Sequence, residues 1–234
     1  MGNGEEARSD TRERLLESAS EVFAAKGYSR GTVKEICERA GANIAAVNYY
    51  FGSKEDLYAE AWRRAFHESL EKHPPDGGVP EEAPPEERLK GRVRALVNSI
   101  ADDDDRAFLM AHKEMSSPTC LLEDVKKECV RPLQEAMSSL VHELLGPRAT
   151  DQQVQFCTLS VVSQCIGVIR RLRHSQMHGE EVPEVAEDII RKIDDYAEHV
   201  ARFSLAGIKA TRRAAEMNQE TVESDERGNT CETS

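Results

Sequence analysis

The sequence predicts an all-α protein, with an N-terminal three-helix head containing a helix-turn-helix and a C-terminal helical bundle. Three observations support this prediction. Charged residues make up 32% of the 234 residues and aromatic residues only 5%, a composition typical of helical soluble proteins. Apolar residues recur at steps of three and four along most of the chain. Capping residues stand where several of these apolar stripes begin.

The first helix is predicted over about 11–25. Its buried stripe consists of Leu15, Ala19, Val22 and Phe23. Gly27 is expected to end the helix, because glycine adopts positive φ at little steric cost. Tyr28 is then expected to fold back onto the core. Residues 1–9 are polar and contain glycine, which predicts a mobile N-terminal arm.

A helix-turn-helix is predicted in the stretch TVKEICERAGANIAAVNYYFGSK. Thr32 opens a capping box at the start of one short helix, and Gly41 suits the left-handed position at its end. Asn43 is a good N-cap for a second short helix over 44–50. The surface of this second helix is small, neutral and partly aromatic, which favours insertion into a DNA groove over simple solvation. The alternative is an ordinary helical hairpin within a bundle.

The next helix is predicted over about 54–72 and would join the head to the rest of the chain. The segment that follows is rich in Pro, Gly and Glu, so it cannot continue the helix and is predicted to be an exposed linker. These patterns define five predicted parts: a mobile arm at 1–9, a helix-turn-helix domain with its connecting helix at 10–72, a linker at 73–87, a helical domain at 88–217 and a disordered tail at 218–234.

Two helices of the C-terminal domain are unusually apolar. The first is predicted over about 150–173, where Thr150 opens a capping box, and the second over about 183–217, with Pro183 in its first turn. Because a helix that is apolar nearly all round must be buried on most sides, these two helices are predicted to form a homodimer interface. Three other helices are predicted over about 86–100, 105–116 and 119–145, the last of which contains Pro132.

The N-terminal region resembles the DNA-binding domain of the tetracycline-repressor (TetR/AcrR) family. The matching features, between Thr11 and Tyr58, are Ala19 through Phe23, Lys26-Gly27-Tyr28, Thr32 through Ile36, Ala40-Gly41, Tyr49-Tyr50-Phe51 and Gly52 through Leu57. Asn48 is a departure, because many members carry Tyr there; a subset of the family has the Asn form. The resemblance implies a transcriptional regulator that binds double-stranded DNA.

The C-terminal half resembles, more loosely, the CecR-type subgroup of the same family. The similar residues are His112 through Pro118, Arg131-Pro132 and Ser163 through Arg173. The combined resemblance implies a ligand-responsive repressor that binds a palindromic operator as a homodimer. Its ligand would be a small-molecule effector of unknown identity.

Nine residues are predicted to contact DNA. Asn43 and Asn48 can hydrogen-bond to base edges or phosphate, while Ala45 and Ala46 permit close approach and contact with a thymine methyl group. The family resemblance implies phosphate contacts for Thr32, Tyr49 and Lys54, with Lys34 as a weaker candidate. The full prediction comprises Thr32, Lys34, Asn43, Ile44, Ala45, Ala46, Asn48, Tyr49 and Lys54.

An effector pocket is predicted among the C-terminal helices. Its candidate lining residues, each of which is also compatible with a packing or surface role, are Phe108, His112, Met115, Phe156, Gln164, Val168 and Arg171. Cys157 and Cys165 leave a thiol sensor as an alternative. The acidic run at 102–105 and the histidines at 174 and 178 are weak patterns for a metal, so no metal and no cofactor is predicted.

The net charge of −12 excludes a strongly basic, non-specific DNA-binding protein. Residues 1–72 have a balance of only −2, and the remainder −10. Because salt screens charges beyond about 10 Å, the distant carboxylates do not exclude specific operator binding.

No catalytic motif stands out, so the chain is not predicted to be an enzyme. The alternatives are a ligand- or partner-binding helical module without DNA recognition, and a small helical enzyme. No apolar run is long enough to cross a membrane, and the N-terminal sequence MGNGEEARSD does not resemble a signal peptide, so a cytoplasmic location is expected.

Overall fold

The computed structural model describes residues 2–179, 188–189 and 191–229, and these residues contain helices and turns but no strand. None of the helices described is both long and apolar enough to cross a membrane. The principal helices are α1 (Gly2–Arg30), α2 (Val33–Ala40), α3 (Ile44–Phe51), α4 (Lys54–Lys72), α5 (Pro85–Ala101), α6 (Arg106–Ser116), α7 (Glu123–Leu145), α8 (Asp151–His178) and α9 (Ile193–Asn229). The all-α prediction is confirmed.

Local capping chemistry sets the ends of the two short helices, as the sequence indicated. The Glu35 backbone N–H donates to Thr32 Oγ1 at 3.2 Å, and Gly41 ends α2 with φ of 60°. The Ala45 backbone N–H donates to Asn43 Oδ1 at 2.9 Å, which opens α3. The two N-caps each satisfy a backbone N–H that has no partner within its helix. Gly41 adopts the left-handed conformation that commonly ends a helix.

Helix α1 begins earlier than predicted, while the break predicted at Gly27 is present. It begins at Gly2, so described residues of the predicted mobile arm at 1–9 are helical. At Gly27 the backbone has φ of 72° and ψ of 175°, a kink after which a short helical segment continues to Arg30. The Tyr28 ring packs beside Phe23 and Tyr58, with centroids 6.4 and 5.2 Å away. The predicted return of this side chain to the core is confirmed.

The chain divides into two compact units, one formed by 1–72 with 102–132 and the other by 73–101 with 133–234. The sequence pattern had assigned 102–132 to the C-terminal domain, but these residues pack with the N-terminal helices. Trp62 Nε1–H donates to the Ala107 carbonyl at 3.2 Å. The Tyr58 hydroxyl donates to the buried Glu114 carboxylate at 3.2 Å. Helix α6 thus belongs to the N-terminal unit.

A single apolar cluster fills the N-terminal unit. Its fully buried side chains include Leu15, Val22, Phe23, Ile36, Val47, Leu57, Tyr58, Met110 and Leu122. On α1 the buried positions fall at steps of three and four, which places one side of the helix against α2, α4 and α6. This packing fixes the supports from which α3 is presented.

The segment predicted as a linker at 73–87 has a defined conformation. Gly78 N–H donates to Asp76 Oδ1 at 2.8 Å and Gly77 N–H to the Pro74 carbonyl at 2.8 Å. Gly77 faces Gly91 of α5 so closely that an added Cβ atom on Gly77 would lie 2.2 Å from the Gly91 carbonyl oxygen. The loop therefore packs on α5, and α5 begins at Pro85.

Helices α5, α8 and α9 form the body of the C-terminal unit. Cys165 and Ile169 of α8 and Val200 and Ile208 of α9 are among its buried side chains. The Tyr196 hydroxyl donates to the Gln164 carbonyl at 2.7 Å, which joins the two long helices.

The predicted start of the last helix at Pro183 lies outside the described residues, as do 230–234 of the predicted disordered tail. Helix α9 continues to Asn229, so the part of the tail at 218–229 that the structure describes is helical.

Of two predicted helix starts, the one at Thr150 is confirmed and the one at Thr119 is wrong. The capping box at Thr150 is reciprocal, because Gln153 N–H donates to Thr150 Oγ1 at 3.2 Å and Thr150 N–H to Gln153 Oε1 at 2.9 Å. The helix predicted from Thr119 instead begins at Glu123. Thr119 donates both its N–H and its hydroxyl to Glu114, at 2.6 and 2.7 Å, so the preceding segment is held in a turn.

Candidate nucleic-acid interface

The outer face of α3 is the part of the N-terminal unit that could enter a DNA groove. Val47 and Phe51 are buried, and they hold the helix on the core. Ile44 is 54% exposed and Tyr49 is 68% exposed. Helical spacing places the exposed residues of α3 on a common side, opposite the buried pair. These residues, which we call the α3 outer face, are Ile44, Ala45, Asn48 and Tyr49.

The α3 outer face has the composition expected of a reading surface. The whole helix contains no charged residue, so it carries no carboxylate that would repel phosphate. Within the part of the chain that the structure describes, no hydrogen bond involves the Asn48 side-chain amide, and that side chain is exposed. An amide placed in this way can pair with a base edge, and its small neighbours allow the backbone to come close.

Thr32 and Asn43, two of the predicted DNA contacts, are the N-caps of α2 and α3. Each uses its side-chain oxygen to accept a backbone N–H. Both side chains lie at a helix start, where a phosphate would also be favoured. Ala46, another predicted contact, is only half-exposed and packs partly against the core.

Lys54 is held by a residue that the sequence prediction did not place in the site. Its ammonium group donates to the Tyr28 carbonyl at 2.7 Å and lies 4.2 Å from the centroid of the Tyr28 ring. Burial lowers the pKa of Lys54. The Tyr28 hydroxyl donates to Glu55, and burial together with this bond raises the pKa of Tyr28 to about 12. Tyr28 thus fixes the position of this cation.

The signal for this arrangement is absent from the local sequence. Any residue offers a carbonyl group, and Tyr28 precedes Lys54 by 26 positions. A second contact of this kind is made by Arg12, whose guanidinium lies 5.0 Å from the centroid of the Phe51 ring and pairs with Glu60 at 3.1 Å. Both contacts depend on the tertiary fold.

Most cations of α1 and α2 near this surface are already paired. Lys26 lies 2.6 Å from Glu35, and this hydrogen bond is the main reason why the pKa of Glu35 is lowered. Arg39 pairs with Glu35 and with Glu21, at 3.3 and 3.4 Å. Lys34, a predicted contact, is exposed and lies 3.8 Å from Glu38. Such an exposed pair is weak, so Lys34 is the more available cation for a phosphate.

The seven predicted effector-lining residues are divided between the two units. Phe108, His112 and Met115 lie in the N-terminal unit, where His112 is buried and Met115 is exposed. The other four lie on α8, and three of them are exposed to solvent: Phe156, Val168 and Arg171. Gln164 is half-buried and donates its side-chain N–H to the Ser160 carbonyl at 3.1 Å.

The other candidate sites have ordinary structural roles. Burial raises the pKa of Cys165 to about 12, so this thiol does not form the reactive thiolate that a sensor uses. Asp102 pairs with Lys72 and Asp105 caps α6. No group of three metal-binding side chains occurs among the described residues.

The C-terminal unit exposes an apolar stripe on each of its two long helices. Phe156 and Leu159 of α8 are 57% and 62% exposed, and Phe203 of α9 is 61% exposed. Gly167 and Gly207 are also exposed, and a Cβ atom added to either would meet nothing within 4 Å. We call these residues, with Ser163, Ala206 and Ala210, the α8–α9 face. It points away from the buried side of both helices.

Two family models match the chain. Residues 15–61 match the model described as "Bacterial regulatory proteins, tetR family", and residues 85–208 match the model of the C-terminal domain of the "HTH-type transcriptional dual regulator CecR". The first match covers the helix-turn-helix. The second covers more than half of the chain.

The chain is also similar to individual proteins, to one in sequence and to two in fold. The chain is 28% identical, over 173 residues, to the HTH-type transcriptional dual regulator CecR of Shigella flexneri, a match covering 70% of this chain and 75% of that protein. The transcriptional regulator FadR of Bacillus subtilis, solved in complex with stearoyl-CoA, has a similar fold, with a TM-score of 0.62 at 16% identity over 84% of this chain and 98% of FadR. A TetR-like regulator from Rhodococcus sp. RHA1 has a TM-score of 0.57 at 20% identity, over 84% and 96% of the two chains.

Proposed function

The chain belongs to the tetR family of bacterial regulatory proteins, with the C-terminal domain of the CecR regulators, and is a DNA-binding transcriptional regulator; we propose that it acts as a ligand-responsive repressor. In this proposal it binds a palindromic operator as a homodimer. A small-molecule effector then lowers its affinity for the operator.

The observation that carries the DNA-binding part of the proposal is the exposure of the α3 outer face on a rigid support. Val47 and Phe51 anchor α3, while Ile44 and Tyr49 point outward. Lys54, fixed by Tyr28 at the start of α4, adds a cation beside this face. In helix-turn-helix proteins the second helix enters the major groove, and flanking groups contact phosphates.

The homodimer is supported by the α8–α9 face. Monomeric proteins rarely expose large contiguous apolar patches, and here Phe156, Leu159 and Phe203 are each more than half exposed on two helices that contact each other. Small residues allow two helices to approach closely, and the large ones fill the spaces between them. A two-fold contact through this face would pair two copies of α8 and α9, as in other symmetric dimers.

The repressor part of the proposal requires an effector with unequal affinity for two conformations. Such a ligand shifts the protein toward the conformation that it binds better, by an amount set by the difference in affinity. The predicted lining residues of each unit remain candidates for such a site within that unit. In the N-terminal unit His112 is buried and Phe108 is half-buried. On α8 Gln164 is half-buried, whereas the exposed Phe156 belongs to the α8–α9 face.

A footprint on the DNA upstream of the chain's own gene tests the function. A dimer with two copies of α3 is expected to protect two symmetric segments whose centres are about 34–36 Å, or one helical turn, apart. Protection of a single segment would contradict the homodimer. An unprotected upstream region, together with no selection of any sequence from random duplexes, would favour the alternative of a helical ligand- or partner-binding module.

A further inference from the structure

Resting on DNA binding by α3, we infer that the helix reads A·T base pairs, with Asn48 on an adenine and Ile44 on the methyl group of a neighbouring thymine. The inference concerns the residues that select the operator sequence. It follows from what the α3 outer face offers and from what the helix lacks.

The first step is the chemistry of the four side chains. In the major groove, guanine is read mainly by Arg or Lys, cytosine by Asp or Glu, adenine by Asn or Gln, and the thymine methyl group by apolar side chains. Helix α3, with the sequence IAAVNYYF, contains no Arg, Lys, Asp or Glu. Asn48 is thus matched to adenine and Ile44 to the thymine methyl group, and the helix offers no ionic partner for a G·C pair.

The second step is position. Residues near the start of a recognition helix contact base edges, and Ile44 is the first residue of α3. Asn48 follows four residues later, so both side chains lie on one side of the helix, about one turn apart. Ala45 stands between them and leaves room for close approach.

The third step is availability. Asn43 already accepts the Ala45 N–H with its side-chain oxygen, whereas among the described residues no hydrogen bond occupies the Asn48 amide. That amide therefore keeps both its acceptor and its donors for a bidentate contact with adenine N6 and N7. Ile44 is 54% exposed, so more than half of its surface is free to cover a methyl group.

The experiment starts with full-length protein and a random duplex library, from which the bound sequences are selected at fixed salt. Binding to the selected site is then measured by fluorescence polarisation, with two base analogues placed one position at a time. Deoxyuridine removes the thymine methyl group but keeps the base pairing. 7-Deaza-adenine removes the N7 acceptor.

Deoxyuridine at one thymine of a single half-site is expected to weaken binding about fourfold, the effect of losing one buried methyl group. In the Ile44→Ala variant that same substitution is expected to have no effect. 7-Deaza-adenine at one adenine is expected to weaken binding, and Asn48→Ala to remove the preference for adenine there, which is worth roughly fivefold to a hundredfold. Lys34→Ala is the matched control, since loss of a phosphate contact weakens all sequences alike.

Three outcomes would overturn the inference: selected half-sites in which Asn48→Ala relaxes a guanine preference, an Asn48→Ala variant that weakens all sequences alike, or a deoxyuridine penalty that persists in Ile44→Ala. All three variants are at exposed positions, and circular dichroism shows whether they fold as the parent does. Selection of no sequence at all would instead count against DNA binding itself, so the two failures can be told apart.

Discussion

Several polar residues of the proposed site have a role in folding beside the DNA contact that is proposed for them. Thr32 and Asn43 cap their helices, and Lys54 bridges to the Tyr28 carbonyl. Each of these contacts fixes a polar group before DNA arrives, which reduces the ordering cost of binding. The side chains of the α3 outer face, in contrast, do not cap a helix or hold a backbone group in place.

Lys54→Ala tests the role of the anchored ammonium group. We expect weaker binding to all DNA sequences and a salt dependence whose log–log slope falls by about two, because each protomer of the dimer loses one phosphate contact. The measurement is operator affinity between low and moderate salt.

Lys72→Ala is the matched control for this variant. Lys72 lies at the other end of α4 and pairs with Asp102, so the substitution removes the same charge from the same helix away from α3. An unchanged slope in Lys54→Ala, or an equal change in both variants, would remove Lys54 from the phosphate contacts.

At the level of single residues, the sequence predicted the contacts that form within a few positions. The caps at Thr32, Asn43 and Thr150 are of this kind, because donor and acceptor are separated by two or three residues. The anchoring of Lys54 by Tyr28 was not predictable, since it requires the end of α1 and the start of α4 to meet in space.

At the level of helices and loops, the boundaries of α2, α3 and α4 follow from capping residues and glycines. The assignment of α6 to the N-terminal unit does not. Its apolar stripe shows that it is buried but not which helices bury it, and the deciding contacts are Trp62 with Ala107 and Tyr58 with Glu114.

The loop at 73–84 shows the same limit. Its Pro and Gly content correctly excludes a helix, yet the composition is shared by flexible linkers and by tight turns. What distinguishes this loop is the approach of Gly77 to Gly91, which lies 14 positions later in the chain.

Gly91→Val is expected to destabilise the C-terminal unit by about 1–3 kcal/mol, as crowded substitutions in packed sites do. A Cβ atom on Gly91 would lie 2.3 Å from the Asp76 carbonyl oxygen and 2.7 Å from Val79 Cγ2. The measurement is the free energy of unfolding from urea titration.

Arg94→Val serves as the control for valine on α5, because position 94 is exposed. By helix propensity alone, Arg94→Val would cost a few tenths of a kcal/mol, whereas Gly91→Val would be neutral or slightly stabilising. A Gly91→Val protein that loses no more stability than Arg94→Val would show that the close approach of Gly77 to Gly91 does not limit this position.

At the level of the whole molecule, the acidic charge and the DNA-binding function are compatible because charge is unevenly distributed. The balance of residues 1–72 is −2, and that of the remaining chain is −10. Pairs such as Lys26 with Glu35 further reduce the free positive charge near α3. We therefore expect few phosphate contacts, and hence specificity that depends on the bases.

Phe203→Glu tests the dimer. Phe203 is 61% exposed, so the substitution is tolerated by an isolated chain, but a pair of buried carboxylates at a two-fold contact is strongly unfavourable. We expect sedimentation equilibrium to show monomers, and operator affinity to fall because two linked heads become independent.

Lys209→Glu provides the comparison. It adds negative charge on α9 outside the α8–α9 face, at an exposed residue that pairs with Glu86 at 3.6 Å. Dimers are expected to persist in this variant. A Phe203→Glu protein that remains dimeric would move the interface to another surface.

The most direct test of the central claim, that α3 reads DNA sequence from an exposed position, is an affinity comparison. Wild-type protein and a variant with Ile44, Asn48 and Tyr49 all changed to Ala are titrated with the selected operator and with a scrambled duplex. We predict that the wild type prefers the operator by at least about 10³-fold and that the folded variant binds the two duplexes alike. A wild type without preference, or a variant that keeps the preference, would contradict the claim.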